Sequence, residues 1–182
     1  MILYHVSDVV IEKPDLKHGR KNADFGQGFY LSTDIDFSLK WAVKDMLLNV
    51  YEIDLEGLKV KEFRRDINWF EYIYNNRRLN DTLADYDVII GPIANDAIYD
   101  TWGILTSGFV DKEKSLKCLL AGNEYTQLVI KSEKAKEKLA FKYFKKLDND
   151  LKNNKKSTRI EEEKYQKLVL DILGDEVKEM LS

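Results

Sequence analysis

Apolar positions recur along this chain at two different periods, and the change from one to the other divides it. Over the first two thirds, short β-like runs alternate with helical ones. ILYHV (2–6) and GFYLS (28–32) read as buried strands, the second entered from a glycine turn. Asp34 can cap a following helix, because a short carboxylate there accepts the free amide protons of the first turn. In that helix Phe37, Trp41 and Met46 recur at near-helical spacing, with Lys40 and Lys44 facing away. NVYEIDL (49–55) and GLKVKEF (57–63) alternate apolar and polar residues on either side of Gly57, predicting a hairpin or two successive strands. NWFEYIYNNRR (68–78) is an aromatic helix, and YDVIIGPI (86–93) is a continuous apolar strand stopped by Gly91 and Pro92. Residues 95–120 are mainly helical, with a turn near Gly108 to Asp111 from which Asp111 can cap SLKCLLAG. EYTQLVI (124–130) is the last strand.

From Ser132 the helical period takes over. SEKAKEKLAFKYFKKLDNDLKNN reads as a charged helix with Leu139, Tyr143 and Phe144 as its apolar stripe. NNKKST (153–158) is turn-like, and Ser157 or Thr158 can cap a final helix with Leu168, Ile172 and Leu173 on one side and Gly174 interrupting it. The boundary drawn from these patterns gives a domain at 1–140 and a helical extension at 141–182. The tail's charges are mixed in sign, which fits a solvated helical pair packed on the body or a docking surface for a partner.

Composition narrows the class. At 182 residues the chain suits one domain and can bury a real core; 44% hydrophobic and 34% charged residues describe a globular protein. A net charge of −3 argues against nucleic-acid binding through overall charge. The one cysteine, Cys118, forms no internal disulfide and sits in no metal-binding pattern; it reads as a small buried apolar residue. No stretch approaches the length of a membrane span and the first residues lack a secretory signal pattern, so a cytoplasmic protein is expected, with no membrane partner and no metal.

The chemistry therefore has few places to go. Neither a serine-hydrolase elbow, a zinc-protease helix nor a phosphate-binding loop occurs, and Gly26-x-Gly28 precedes a strand where a dinucleotide fingerprint needs a helix. His18 lies in a polar loop. His5, inside an apolar strand, is either a satisfied strand histidine or a functional one. The strand-borne polar groups that remain are His5, Tyr30, and Glu124 or Gln127. Alternation sets Tyr30 opposite Phe29 and Leu31, so that it can face a cleft while they pack. Glycines at 26 and 28 let the backbone approach a flat ring closely.

LYHVS, FGQGFYLSTDIDFSLKWA and NEYTQLVI, in that order, resemble the motifs of the ADP-ribosyltransferase superfamily, and most of all its histidine–tyrosine–glutamate branch, the poly(ADP-ribose) polymerase type. More closely, residues 3–140 resemble an uncharacterised bacterial family of that superfamily through YHVSD, PDLKHGRKNADFGQGFYLSTD, NVYEIDLEGLKV and DYDVIIGPIANDAIY. The resemblance implies an α+β fold with a split, mixed and largely antiparallel sheet, flanking helices and a C-terminal helical tail. It also implies a site for NAD as substrate, with the nicotinamide stacked on Tyr30 and a second aromatic, Phe25 or Phe29. The carboxamide would bond to main chain beside His5, at Val6 and Ser7, and the His5 side chain would hold a ribose hydroxyl. Arg20 would meet a phosphate, and Gly26, Gly28, Ser32 and Thr33 would line the ring. The chain departs from the pattern twice: Val6 stands where the family has glycine, and Gln127 stands at the catalytic glutamate position unless Glu124 takes that role. The activity implied is mono-ADP-ribosylation of a macromolecule by an intracellular bacterial toxin or effector, with an antitoxin as a possible binding partner. The competing reading is a module that binds NAD or an ADP-ribose-like ligand without turning it over.

Overall fold

Alternation along strand β1 (Ile2–Ser7), which sits inside a seven-stranded sheet, separates the two faces of the molecule. The structure, a computed structural model, describes residues 1–40, 42–43, 45–77, 85–93, 112–147 and 151–174. The other strands are β2 (Phe29–Ser32), β3 (Leu47–Ile53), β4 (Val60–Glu62), β5 (Val88–Pro92), β6 (Thr126–Ile130) and β7 (Leu139–Lys146). Their order is β4-β5-β6-β2-β1-β3-β7. The β4–β5 pair is parallel and every other neighbouring pair antiparallel, so the sheet is mixed. Among the described residues there are five helices, α1 (Ile35–Lys40), α2 (Ile67–Arg77), α3 (Lys112–Leu120), α4 (Glu133–Glu137) and α5 (Leu151–Leu173), and the class is α+β.

One face carries the main core. Leu3, Phe29, Leu31, Tyr51, Ile53, Leu128 and Ile130 project together and exclude water almost completely. Each such side chain contributes about 1.5–3 kcal/mol through burial. Row partners place Tyr4, Tyr30, Ser32 and Gln127 on the other face, through Tyr4↔Ser32 and Ser32↔Gln127. There an aromatic group of Phe25, Phe63 and Tyr72 stacks at 4.9–6.0 Å between centroids. Asp66 starts α2 by accepting from the Asn68 and Trp69 amides, and the Trp69 indole then donates to the Pro92 carbonyl at 3.0 Å, tying helix to sheet.

Several expectations need correction. The helix after Asp34, which the Phe37 amide confirms as its cap at 3.1 Å, ends at Lys40; Met46 lies beyond a turn. Trp41 and Lys44 lie outside the described residues. Lys40 faces inward, its ammonium bonded to the Tyr125 hydroxyl and 4.0 Å from that ring. Of the two arrangements expected for β3 and β4, they take the second, successive strands and not a hairpin: β3 lies between β1 and β7, while β4 joins β5 at the far edge. The stretch read as a charged helix from Ser132 is instead the short α4 followed by β7. Leu139 and Tyr143 are four apart, as on a helix, but pairing with β3 sets Leu139 and Phe141 beside Ile53 and Tyr51 at the strand period. A register shift between Val50 and Tyr51 then puts Tyr143 beside Val50 on the other face. A boundary between 140 and 141 thus runs through β7, which is hydrogen-bonded into the sheet.

α5 begins at Leu151, so the residues read as a turn at 153–158 are helical. Its buried stripe is Tyr165, Val169 and Leu173; Leu173 is buried as expected, whereas Leu168 is exposed and Ile172 only half-buried. Gly174, at φ 53°, follows directly on Leu173; the helix expected beyond it falls at 175–182, which with 94–111 lie outside the described residues.

Contacts divide the chain into two compact units, 1–93 with 125–155 and 94–124 with 156–182. In the second, the Tyr165 hydroxyl donates to the Cys118 carbonyl at 3.2 Å. Cys118 is fully buried, as expected, and burial pushes its thiol pKa up. No helix among the described residues is long and apolar enough to cross a membrane.

Candidate functional site

The strands carrying LYHVS, GFYLS and TQLVI lie side by side as β1, β2 and β6, all within the first unit. Their ladders are unequal. β1 follows β3 continuously from Ile2↔Glu52 to Ser7↔Leu47, and β2 follows β6 from Phe29↔Ile130 to Ser32↔Gln127. β1 and β2 pair only at Tyr4↔Ser32. Past that point the sheet has a seam, and a side chain bridges it: His5 Nδ1 lies 2.8 Å from the Tyr30 carbonyl oxygen.

A carbonyl can only accept, so Nδ1 carries the proton and, in the neutral ring, Nε2 keeps its lone pair. Burial holds the His5 pKa below its ordinary value, opposed in part by the bond to Tyr30. The imidazole packs against Phe29 at 4.6 Å between centroids, and Phe29 in turn meets Tyr51 edge-on. Here the residues do not gather as expected. Alternation puts His5 on the side of Leu3 and Phe29, whereas Tyr30, Ser32 and Gln127 share the opposite face; they meet only at the seam.

Tyr30 is half-buried between a buried Phe29 and Leu31, as the alternation required. Its hydroxyl donates to the Gly26 carbonyl at 2.6 Å and accepts from the Phe25 amide at 3.0 Å. The glycine motif is thereby folded back on the strand it leads into. Gly26 needs its residue type for a left-handed φ of 76°. Gly28 needs it for space, but not for a ligand ring: a Cβ there would lie 2.5 Å from the Ile130 carbonyl oxygen. The Phe25 ring is also committed, wholly buried with Phe63 and Tyr72, and Phe29 belongs to the core. Neither offers a free stacking surface.

Gln127 is buried on the Tyr30 face. Its Nε2 donates to Asp24 Oδ2 at 3.1 Å and lies 3.5 Å from the Pro92 carbonyl oxygen. Glu124, the other candidate for that position, is exposed, precedes β6 and groups with the second unit. Ser32 is buried beside Gln127, with its hydroxyl shared between the Thr126 carbonyl and the Asp34 amide, while Thr33 is exposed. Val6 is half-buried opposite Leu48, and the Ser7 hydroxyl is held by the Val9 carbonyl and the Asn49 amide. Arg20 and His18 are exposed, in a loop that Gln27 pins through the Lys17 and Gly19 carbonyls.

Three residues of this arrangement escaped the sequence reading. Asp24 is buried at the start of the glycine motif. Asn76, from α2, donates to the Ala23 and Asp24 carbonyls at 3.0 and 3.1 Å. Lys131, just past β6, donates to the Phe25 carbonyl at 2.7 Å. Asp24 had a signal, an acid beside a glycine turn; Asn76 and Lys131 act across 52 to 106 residues and had none. Among the described residues no group of three or more His, Cys, Asp or Glu is placed to hold a metal ion.

Comparison with curated proteins gives no match. A family model described as a protein of unknown function, DUF3990, matches residues 1–141, which takes in the whole β1–β2–β6 arrangement, and the chain belongs to that family.

Proposed function

We propose that this protein transfers ADP-ribose from NAD to an acceptor, as an intracellular bacterial toxin or effector built on an ADP-ribosyltransferase-like sheet. The reaction breaks the bond between ribose C1′ and the nicotinamide nitrogen. The electron pair leaves on neutral nicotinamide, C1′ takes a lone pair from an acceptor oxygen or nitrogen, and the acceptor's proton passes to solvent.

The observation that supports this most is the seam between β1 and β2, bridged by His5 and flanked by Tyr30, with Gln127 on the neighbouring strand. A seam leaves main-chain groups of two strands near each other without a full ladder, which suits recognition of a planar carboxamide. The neutral His5 ring offers Nε2 as an acceptor for a ribose hydroxyl. The half-buried Tyr30 ring is held in place by its own hydroxyl bonds, as a stacking surface must be.

Gln127 favours a second reading, a module that binds NAD and leaves it intact, because an amide stabilises a developing cation less than a carboxylate does. Incubating the protein with NAD labelled in its adenylate half and a whole-cell lysate separates the two. Transfer of label to protein or nucleic acid, told apart by protease and nuclease, is expected. Binding of NAD by calorimetry with neither label transfer nor nicotinamide release would leave the second reading standing.

A further inference from the structure

We propose that Asp24 carries the negative charge of this site, with Gln127 holding and complementing it. This rests on the NAD reading above. Gln127 faces two acceptors, the Asp24 carboxylate at 3.1 Å and the Pro92 carbonyl at 3.5 Å, which fixes its amide with nitrogen toward Asp24. The amide oxygen is then the end that can accept a substrate hydroxyl. The two roles one strand-borne glutamate would combine, hydrogen-bond acceptor and negative charge, are divided between two residues. A glutamate at 127 would instead set a second carboxylate against Asp24, and like charges at that separation disfavour each other strongly.

The carboxylate is also fixed in advance. Asn76 holds the Ala23 and Asp24 carbonyls, Lys131 holds the Phe25 carbonyl, and the Tyr30 hydroxyl closes on Phe25 and Gly26. Asp24 and Gln127 are each 8% exposed, so the charge acts where little water screens it. A preorganised carboxylate in such a place stabilises positive charge building on the ribose ring as the C1′–nitrogen bond breaks and its electron pair leaves with nicotinamide.

The test compares three chains, wild type, D24N and the double swap D24N/Q127E, for nicotinamide release, NAD affinity by calorimetry and thermal midpoint. Asparagine in place of Asp24 keeps an oxygen to accept from Gln127, and kcat falls about 100-fold or more, beyond what any shift in midpoint or NAD affinity accounts for. The double swap returns the charge to position 127, where the side-chain amide that D24N introduces can donate to it, and restores most of the lost rate. Wild-type turnover in D24N overturns the proposal. So does a loss of rate that follows the midpoint and is not rescued by the swap, the mark of a loop anchor alone. A wild-type chain that binds NAD without cleaving it also overturns it, and one that neither binds nor cleaves NAD sinks the underlying reading instead.

Discussion

The two flanks of β1 are built on different physics. On the β3 side the main chain does the holding: an unbroken ladder runs the length of β1, β3 pairs on with β7 through one register shift at Val50/Tyr51, and both lie over the packed face of Leu3 and Tyr51. On the β2 side the ladder stops at Tyr4↔Ser32, and side chains take over. His5 bridges to the Tyr30 carbonyl, Tyr30 to Phe25 and Gly26, and Gln127 to Asp24. Backbone pairing is insensitive to side-chain identity, whereas a bridge of side chains needs particular residues. The seam is thus where the sequence is chemically specific, and where a ligand can compete for polar groups.

The largest effect separating the flanks is on stability. Leu3→Ala, on the ladder side, should lower unfolding free energy by about 2–5 kcal/mol through lost burial and a cavity, read by urea denaturation. Tyr30→Phe, on the seam side, removes one hydroxyl that satisfies two main-chain groups, and should cost about 1–2 kcal/mol in the same measurement. A smaller effect is pH-dependent. Burial depresses the His5 pKa, so the fold favours the neutral ring. The stability it confers is fully present above the unfolded value of 6.5 and is lost as pH falls below that toward the folded pKa. Urea midpoints of wild type and His5→Gln, taken on either side of 6.5, should diverge only through this window. Smallest of all is the exposed Lys142–Glu52 pair that spans β7 and β3 at 2.8 Å. Lys142→Ala should leave the midpoint unmoved, since solvent screens such pairs and the ladder beneath them does the holding.

The two flanks also differed in how far the sequence revealed them. Strands β1, β2, β5 and β6 were legible because buried strands announce themselves as apolar runs, and Tyr30's orientation followed from strict alternation. β7 was not. Its aromatic and lysine residues fit a helical stripe as well as a strand, and only pairing with β3, some ninety residues earlier, decides between them, as the Lys142–Glu52 separation of 90 illustrates. The same applies within the site. His5, Tyr30 and Gln127 were visible as polar residues in apolar strands. That His5 lies across the sheet from Tyr30, that Gly28 makes room for the Ile130 carbonyl, and that Gln127 answers to Asp24 depend on register and on distant loops. Local pattern does not encode those.

The measurement that bears most directly on the seam as an NAD site is nicotinamide release by three folded chains: wild type, His5→Ala and Tyr143→Ala. Tyr143 is an exposed aromatic on β7, 57% accessible and on the ladder side, so it controls for the loss of an aromatic or polar side chain anywhere on the sheet. The expected result is steady release by wild type, the same rate for Tyr143→Ala, and a fall of about 100-fold or more for His5→Ala with its fold retained by circular dichroism. No release by wild type in the presence of lysate acceptors, or equal rates for wild type and His5→Ala, would contradict the assignment of the seam to NAD.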